Sequence, residues 1–360
     1  MKLAARAADL IEPALAPFAG VALALGAAGG FVALLGENPL AALRTIIGGS
    51  LGGAEGIGFT LFYATNFIFA GLAVAVPFRA GLFNIGVEGQ ATLAGVGVAL
   101  AALGSGALPP ALALPLIMLS GAFFGALWAS IPGWLQARRG SHVVVTTIMF
   151  NFLASALLGW LLVDPLRAPG SMQPETRGFP PSAAMPKLDD ALAVFGLPAT
   201  GSPLNASLLL ALAAAICVHV LINRTRGGFE IRVFGANRDT AASAGVSATR
   251  VIVLAMAIAG ALSGGLALNE LAGAQNRLIL EFTGGYGFVG IAVALTGRNS
   301  PGGIVLAGIL FGALYQGGAE LAFERPRITR DVIILVQGVV VLAIGCLGAR
   351  LALKSRFRED

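Results

Sequence analysis

Nine stretches of 16 or more residues in this 360-residue chain contain no Asp, Glu, Lys or Arg: 13–36, 56–78, 89–137, 140–163, 191–223, 251–269, 282–297, 299–319 and 332–349. A bilayer core is about 30 Å thick, and about 20 apolar residues cross it as a helix. The 89–137 stretch is long enough for two spans, and Gly104-Ser105-Gly106-Ala107-Leu108-Pro109-Pro110 divides it. The chain therefore reads as all-α, a polytopic membrane protein with about ten transmembrane helices, some of them broken. The expected spans are approximately 14–35, 56–78, 84–104, 111–135, 143–163, 205–223, 251–270, 282–297, 302–321 and 332–349. In the sixth, the helix starts after Pro203. The 282–297 run is short and Gly-rich, which predicts a span that is tilted, broken or buried among neighbours.

Composition removes the main alternatives. Charged residues make up 11% of the chain against about 25% in an ordinary soluble domain, while 57% are hydrophobic. Too little polar surface remains to cover one packed cytosolic core, and disorder needs the opposite balance. Two cysteines, Cys217 and Cys346, make no disulfide framework. The net charge of +5 comes from basic residues scattered in short clusters between apolar runs, so it indicates membrane orientation rather than nucleic-acid binding.

The N-terminal run follows Lys2 and Arg6 and resembles a signal peptide. It is longer than the usual apolar core of roughly 7–15 residues, and Asp9, Glu12 and Pro13 sit just before it. The expectation is a retained span. With the N-terminus inside, fifteen Lys and Arg fall in inner loops and eight in outer ones, which favours both termini inside and an even number of spans. Residues 164–204 then form a Pro-rich external loop. Residues 224–250 form a cytoplasmic loop in which Asn237 can cap a short helix and Gly245 can end it. Such a capped, Ala-rich helix suits docking into another protein's groove.

Catalytic and nucleotide motifs are missing or misleading. The three lysines, Lys2, Lys187 and Lys354, none of them after a glycine, leave no phosphate loop. Gly285-Tyr286-Gly287-Phe288-Val289-Gly290 has dinucleotide-loop spacing but lacks the acidic residue about 20 positions on, so it reads as close packing in a broken span. His142 and His219 have no ligand partners at metal or triad spacing, so neither a metal site nor a catalytic residue is assigned. Small-xxx-small pairs such as Gly121/Gly125 and Gly260/Gly264 permit close helix approach but identify no interface. Polar residues within the spans are more informative, because each needs a purpose or a partner. They are Asn66, Asn84, Glu88, Gln90, Asn151, Asn269, Glu270, Gln316 and Gln337. Those that touch no solute would hydrogen-bond between helices, and Glu88 reads as structural or gating.

Four segments together carry a resemblance. They are Gly81-Leu82-Phe83-Asn84-Ile85-Gly86-Val87-Glu88-Gly89-Gln90, Val144-Val145-Thr146-Thr147-Ile148-Met149-Phe150-Asn151, the loop from Phe234-Gly235-Ala236-Asn237 to Val246, and 287–301. Together they resemble permease subunits of ABC importers, in the family serving branched-chain amino acids and simple sugars. The first segment is most similar to the nucleoside-importing subgroup. Thr296 and Ser300 depart from that pattern, where Leu and a second Asn or Asp are expected. The resemblance implies one half of a permease pair in the bacterial cytoplasmic (inner) membrane, with no cofactor bound by this chain. ATP would be used by a partner ABC ATPase subunit with two cassettes. The other implied partners are a second homologous permease subunit, an extracytoplasmic solute-binding lipoprotein and membrane lipid, with no nucleic acid. Coupling to the ATPase maps onto Asn237, Arg238, Asp239, Ala241, Ala242, Gly245 and Val246. Candidates for the substrate pathway are Phe83, Asn84, Glu88, Gln90, Asn151, Tyr286, Phe288 and Gln316. A simple-sugar importer permease is the alternative within the same architecture. A secondary transporter is a further one, with only Glu88 and Glu270 available for ion coupling. A membrane-embedded enzyme lacks its constellation.

Overall fold

The computed structural model describes residues 36–189 and 201–325, with isolated helical positions at 26, 29, 30, 33, 34 and 338. The spans expected over 14–35 and 332–349, both termini and residues 190–200 of the Pro-rich loop lie outside the continuously described residues. The described chain is helical, and two isolated β-bridges are its only extended pairings. The helices are α1 (Pro39–Leu51), α2 (Ala54–Arg79), α3 (Val87–Gly104), α4 (Pro110–Arg139), α5 (Val143–Val163), α6 (Ser207–Arg224), α7 (Arg226–Ala236), α8 (Arg238–Ser243), α9 (Ala248–Glu270), α10 (Tyr286–Thr296) and α11 (Pro301–Glu324). Seven helices among the described residues are long and apolar enough to cross a membrane, and the most apolar of them continues α9 through a π-turn to Gln275.

The chain divides into two compact units, residues 1–60 with 313–360 and residues 61–312. In the first, Asn38 caps α1 by accepting from the amides of Leu40 and Ala41, and Pro39 takes the first helical position. Gly49 on α1 lies against Glu320, and Gly317 lies against the Ile46 backbone. The Thr45 hydroxyl donates to Glu324 at 2.9 Å, and Arg325 pairs with Glu37.

The second unit is organised by small residues. A Cβ at Gly260 would stand 2.0 Å from the Gly125 carbonyl oxygen, and one at Gly264 would stand 2.8 Å from the Gly121 carbonyl carbon. The two pairs noted in the sequence therefore face each other, and α4 and α9 cross backbone to backbone, as membrane helices do where small residues remove the side-chain spacer. Gly97 receives Phe124, and the Ser120 hydroxyl donates to the Gly97 carbonyl at 2.8 Å, which binds α3 to α4. The other face of α4 carries Leu112, Leu116, Leu119, Phe123 and Leu127, all exposed at helical spacing, a stripe suited to lipid.

The 282–297 region is helical only over Tyr286–Thr296, eleven residues or about 16 Å, roughly half a bilayer core. Its approach from α9 is non-helical. Asn276 and Glu281, like Gly284 and Gly285, have positive φ, which stops the helix from continuing. The Pro-rich loop holds this approach in place. Thr176 donates its amide to the Leu278 carbonyl at 3.0 Å, Phe179 to Asn276 at 2.7 Å and Met185 to Ala272 at 2.8 Å. Phe179, Ala183 and Met185 are buried with Leu271, Ala272, Leu278 and Phe282. The loop is thus part of the core of this unit.

Candidate functional site

Residues 80–86 leave the helical path after Pro77 and α2, and α3 begins at Val87. Three amide side chains support this unwound stretch. Asn84 accepts from the Gly86 amide at 2.9 Å and exchanges two hydrogen bonds with Gln90, at 3.1 and 3.3 Å. Asn151 on α5 donates to the Ile85 carbonyl at 3.0 Å and accepts from the Gly89 amide at 2.9 Å. The Ser263 hydroxyl on α9 donates to the side-chain oxygen of Gln90 at 3.4 Å. Backbone groups released from a helix inside hydrocarbon need such partners.

Glu88, in the first turn of α3, joins this stretch to the broken approach to α10. One carboxylate oxygen accepts from the Thr283 hydroxyl at 2.5 Å and the Gly285 amide at 3.0 Å. The other accepts from the Gly287 amide at 2.8 Å. The carboxylate therefore caps α10, whose first amides would otherwise lack partners. Glycine at 287 is required by this approach, since a Cβ there would stand 2.4 Å from the Glu88 amide nitrogen. Gly290, one turn on, abuts Ala70 of α2. Tyr286 is buried and meets Phe67 edge-on at 5.6 Å and Tyr63 at 6.3 Å.

Of the eight pathway residues expected from the sequence, Asn84, Gln90, Asn151 and Tyr286 are buried in these contacts. Glu88 and Phe83 are half-buried, and Phe83 meets Phe78 at 6.4 Å. Phe288 is 49% exposed. Gln316 is half-buried and belongs to the other unit. Sequence reasoning missed Thr283, which was legible only as a polar residue at the start of an uncharged run. It also missed Asn205, beside the Pro203 where a helix was expected to start. Asn205 ends a buried string in which Asn66 donates to Glu270 at 2.6 Å, Asn269 to Asn66 at 2.8 Å and Asn205 to Asn269 at 3.0 Å. This string binds α2 to the end of α9 and the start of α6.

At the far end of the same unit, the Arg79 guanidinium donates to the Asn299 carbonyl at 3.0 Å, and Gly235 on α7 lies against the Arg79 backbone. Asn237 follows and accepts from the amides of Asp239 and Thr240 at 2.9 and 3.0 Å, capping α8. Ala241 is the one buried residue of α8, while Arg238, Asp239, Thr240 and Ala242 are exposed. Gly245, at φ +77°, turns the chain towards α9.

Comparison with known proteins adds a family. The sequence profile described as the permease component of the branched-chain amino acid transport system matches residues 56–345. The glucose ABC transporter permease protein of Haloferax volcanii is 35% identical over 91% of this chain and 85% of its own length. The guanosine ABC transporter permease protein of Bacillus subtilis is 34% identical over 90% of this chain and 91% of its own. The nucleoside ABC transporter permease protein of Lactococcus lactis is 32% identical over 86% of this chain and 84% of its own.

Proposed function

The chain belongs to the family of the branched-chain amino acid transport system permease component, and on that premise we propose that the solute it passes is a nucleoside. It is a multi-pass permease subunit of an ABC transporter, a transport component rather than an enzyme, and it works with an ATPase and other ABC components. The observation that carries the transport reading is Glu88, where an unwound stretch and the start of a half-length helix meet inside one helical unit. Discontinuous helices of this kind form solute sites in transporters because they free backbone groups and helix ends at membrane depth. Similarity to guanosine and nucleoside permeases along nearly the whole chain supports the solute class.

The proposed setting is the bacterial inner membrane with both termini inside. Arg79, Gly235 and Asn299, all from segments read as inner, gather at one end of the unit, and Thr176 and Leu278, read as outer, meet each other. The proposed partners are a two-cassette ATPase, a second permease subunit and an extracytoplasmic lipoprotein that delivers the solute. ATP is used by the partner, and this chain holds no cofactor. In this scheme the ATPase moves α8, through Asn237, Arg238, Asp239, Ala241, Ala242, Gly245 and Val246, and the permease pair alternates between outward and inward access. Phe83, Asn84, Glu88, Gln90, Asn151, Tyr286, Phe288 and Gln316 are proposed to form or support the pathway.

The test is uptake of labelled guanosine and uridine in cells with and without this chain. Chain-dependent uptake that stops when ATP hydrolysis is blocked is the expected result. The 35% identity to a glucose permease favours one second reading, a sugar importer. Loss of sugar uptake in place of nucleoside uptake would move the conclusion there.

A further inference from the structure

Resting on that transport reading, we propose that the exposed side of residues 280–288 is a water-filled wall of the solute path, where the Glu281 carboxylate receives the vicinal hydroxyls of an uncharged solute. The argument starts from depth. Phe282 packs its ring against Gly95, nine residues short of the end of α3, or about 13 Å along the helix axis. The Thr283 hydroxyl bonds Glu88 a further two turns down. Glu281 therefore stands on the order of 10 Å below that end of α3, well inside the span.

From this depth onward Glu281, Gly284 and Phe288 are exposed, as is Leu280 just before them. Non-helical backbone and a charge facing hydrocarbon are both costly, so such a surface belongs to protein or to water. A stripe of Leu and Phe suited to lipid lies elsewhere in the unit, on α4. Glu281 also adopts φ +52°, a conformation that a non-glycine residue rarely keeps without cause. Among the described residues its side chain has no hydrogen-bond or ion-pair partner, although its carbonyl accepts from the Gly284 amide at 2.9 Å. This contrasts with Glu88, whose two oxygens are both occupied.

The chemistry of the ligand follows from the groups presented. A free carboxylate offers two adjacent acceptors and no donor, which matches a pair of neighbouring hydroxyls. It repels phosphates and carboxylates, so nucleotides and sugar phosphates are disfavoured. Phe288, half exposed, supplies an apolar face on which a base or a sugar ring can lie. A ribose and a hexose share the diol chemistry, and the test separates them.

The experiment uses the complete importer, with Cys217 and Cys346 replaced by Ser. Glu281→Cys is treated with a charged, membrane-impermeant thiol reagent, beside Leu116→Cys on the lipid-suited stripe. Modification at 281 but not at 116, slowed by guanosine for a nucleoside path or by glucose for a sugar path, is the expected result. In parallel, Glu281→Gln is assayed for uptake of ribonucleosides against 2′-deoxynucleosides. The receptor is unchanged, so any shift in the ratio arises in this chain. The ribo preference should fall by on the order of tenfold, the worth of one charge-assisted hydrogen bond. Because this side chain is exposed and glutamine has nearly its shape, the variant should reach the membrane at parental levels. An unmodified Glu281→Cys in an importer that takes up nucleosides overturns the wall. An unchanged ratio overturns the role of the carboxylate. A modified 281 position in an importer that moves neither nucleosides nor sugars supports the wall and overturns the solute reading instead.

Discussion

The Glu88 carboxylate accepts the Gly287 backbone amide at 2.8 Å, so the first turn of α3 caps the first turn of α10. Two helix N-termini thereby share one carboxylate, and each helix dipole favours a negative charge at that place. Glu88→Ala leaves the Thr283 hydroxyl and two amides without their acceptor. The expected loss is on the order of 3 kcal/mol of stability, with uptake abolished. Glu88→Gln should be milder in stability but still poor in uptake, because it turns one acceptor into a donor facing donors. Thermal unfolding in detergent and initial uptake rates check both. Parental values for Glu88→Ala would mean that the cap is dispensable.

The α4–α9 crossing predicts opposite effects for the same substitution. Gly260→Ala places a methyl 2.0 Å from the Gly125 carbonyl oxygen and must part the helices, at a cost of about 2 kcal/mol or more. Gly159→Ala on α5 meets nothing within 4 Å and should be neutral or stabilising by about 0.5 kcal/mol, since alanine gives up less backbone freedom in a helix. Melting temperatures of the two variants decide. Equal shifts would contradict the close crossing.

Asn237→Ala removes both side-chain bonds that start α8, a helix of six residues with little else to hold its first turn. The cap is worth about 1 kcal/mol. Under the proposed coupling role, the variant should reach the membrane normally, yet ATP hydrolysis by the complex should respond less to loaded receptor. Full coupling in Asn237→Ala, measured as receptor-stimulated ATPase activity, would remove this residue from the coupling set.

Two polar contacts in the same unit should differ sharply in weight. Asn269→Leu breaks the buried string, taking the donor from the Asn66 side-chain oxygen and one acceptor from the Asn205 amide, for a loss of about 1–3 kcal/mol. Arg277→Ala breaks an ion pair with Glu175 whose arginine side chain is 47% exposed, and should cost under about 1 kcal/mol. Chemical unfolding of the two variants provides the comparison.

The uncharged runs, the polar residues inside them and the capped segment at Asn237 were legible because each depends on local composition. A helix in hydrocarbon needs about 20 apolar residues whatever surrounds it, and an Asn before a helix caps it through amides two and three residues on. This reasoning anticipated an all-helical chain and a disturbed segment at 282–297. It could not choose among the many glycine pairs, because the facing of Gly125 and Gly260 depends on how helices more than a hundred residues apart cross. Nor could it tell a polar residue that supports backbone from one that stands exposed. Asn84 and Glu281 are both polar residues near glycines, yet the first is buried and bonded, and the second is exposed with no side-chain hydrogen bond among the described residues. That difference arises from contacts between distant segments, such as the fastening of 272–280 by the Pro-rich loop. The sequence by itself determined that this chain crosses a membrane as helices, because transfer into hydrocarbon is a sum over local residues. Only the tertiary structure decided which carboxylate closes a helix end and which stands open, because burial is a property of the neighbours a residue acquires.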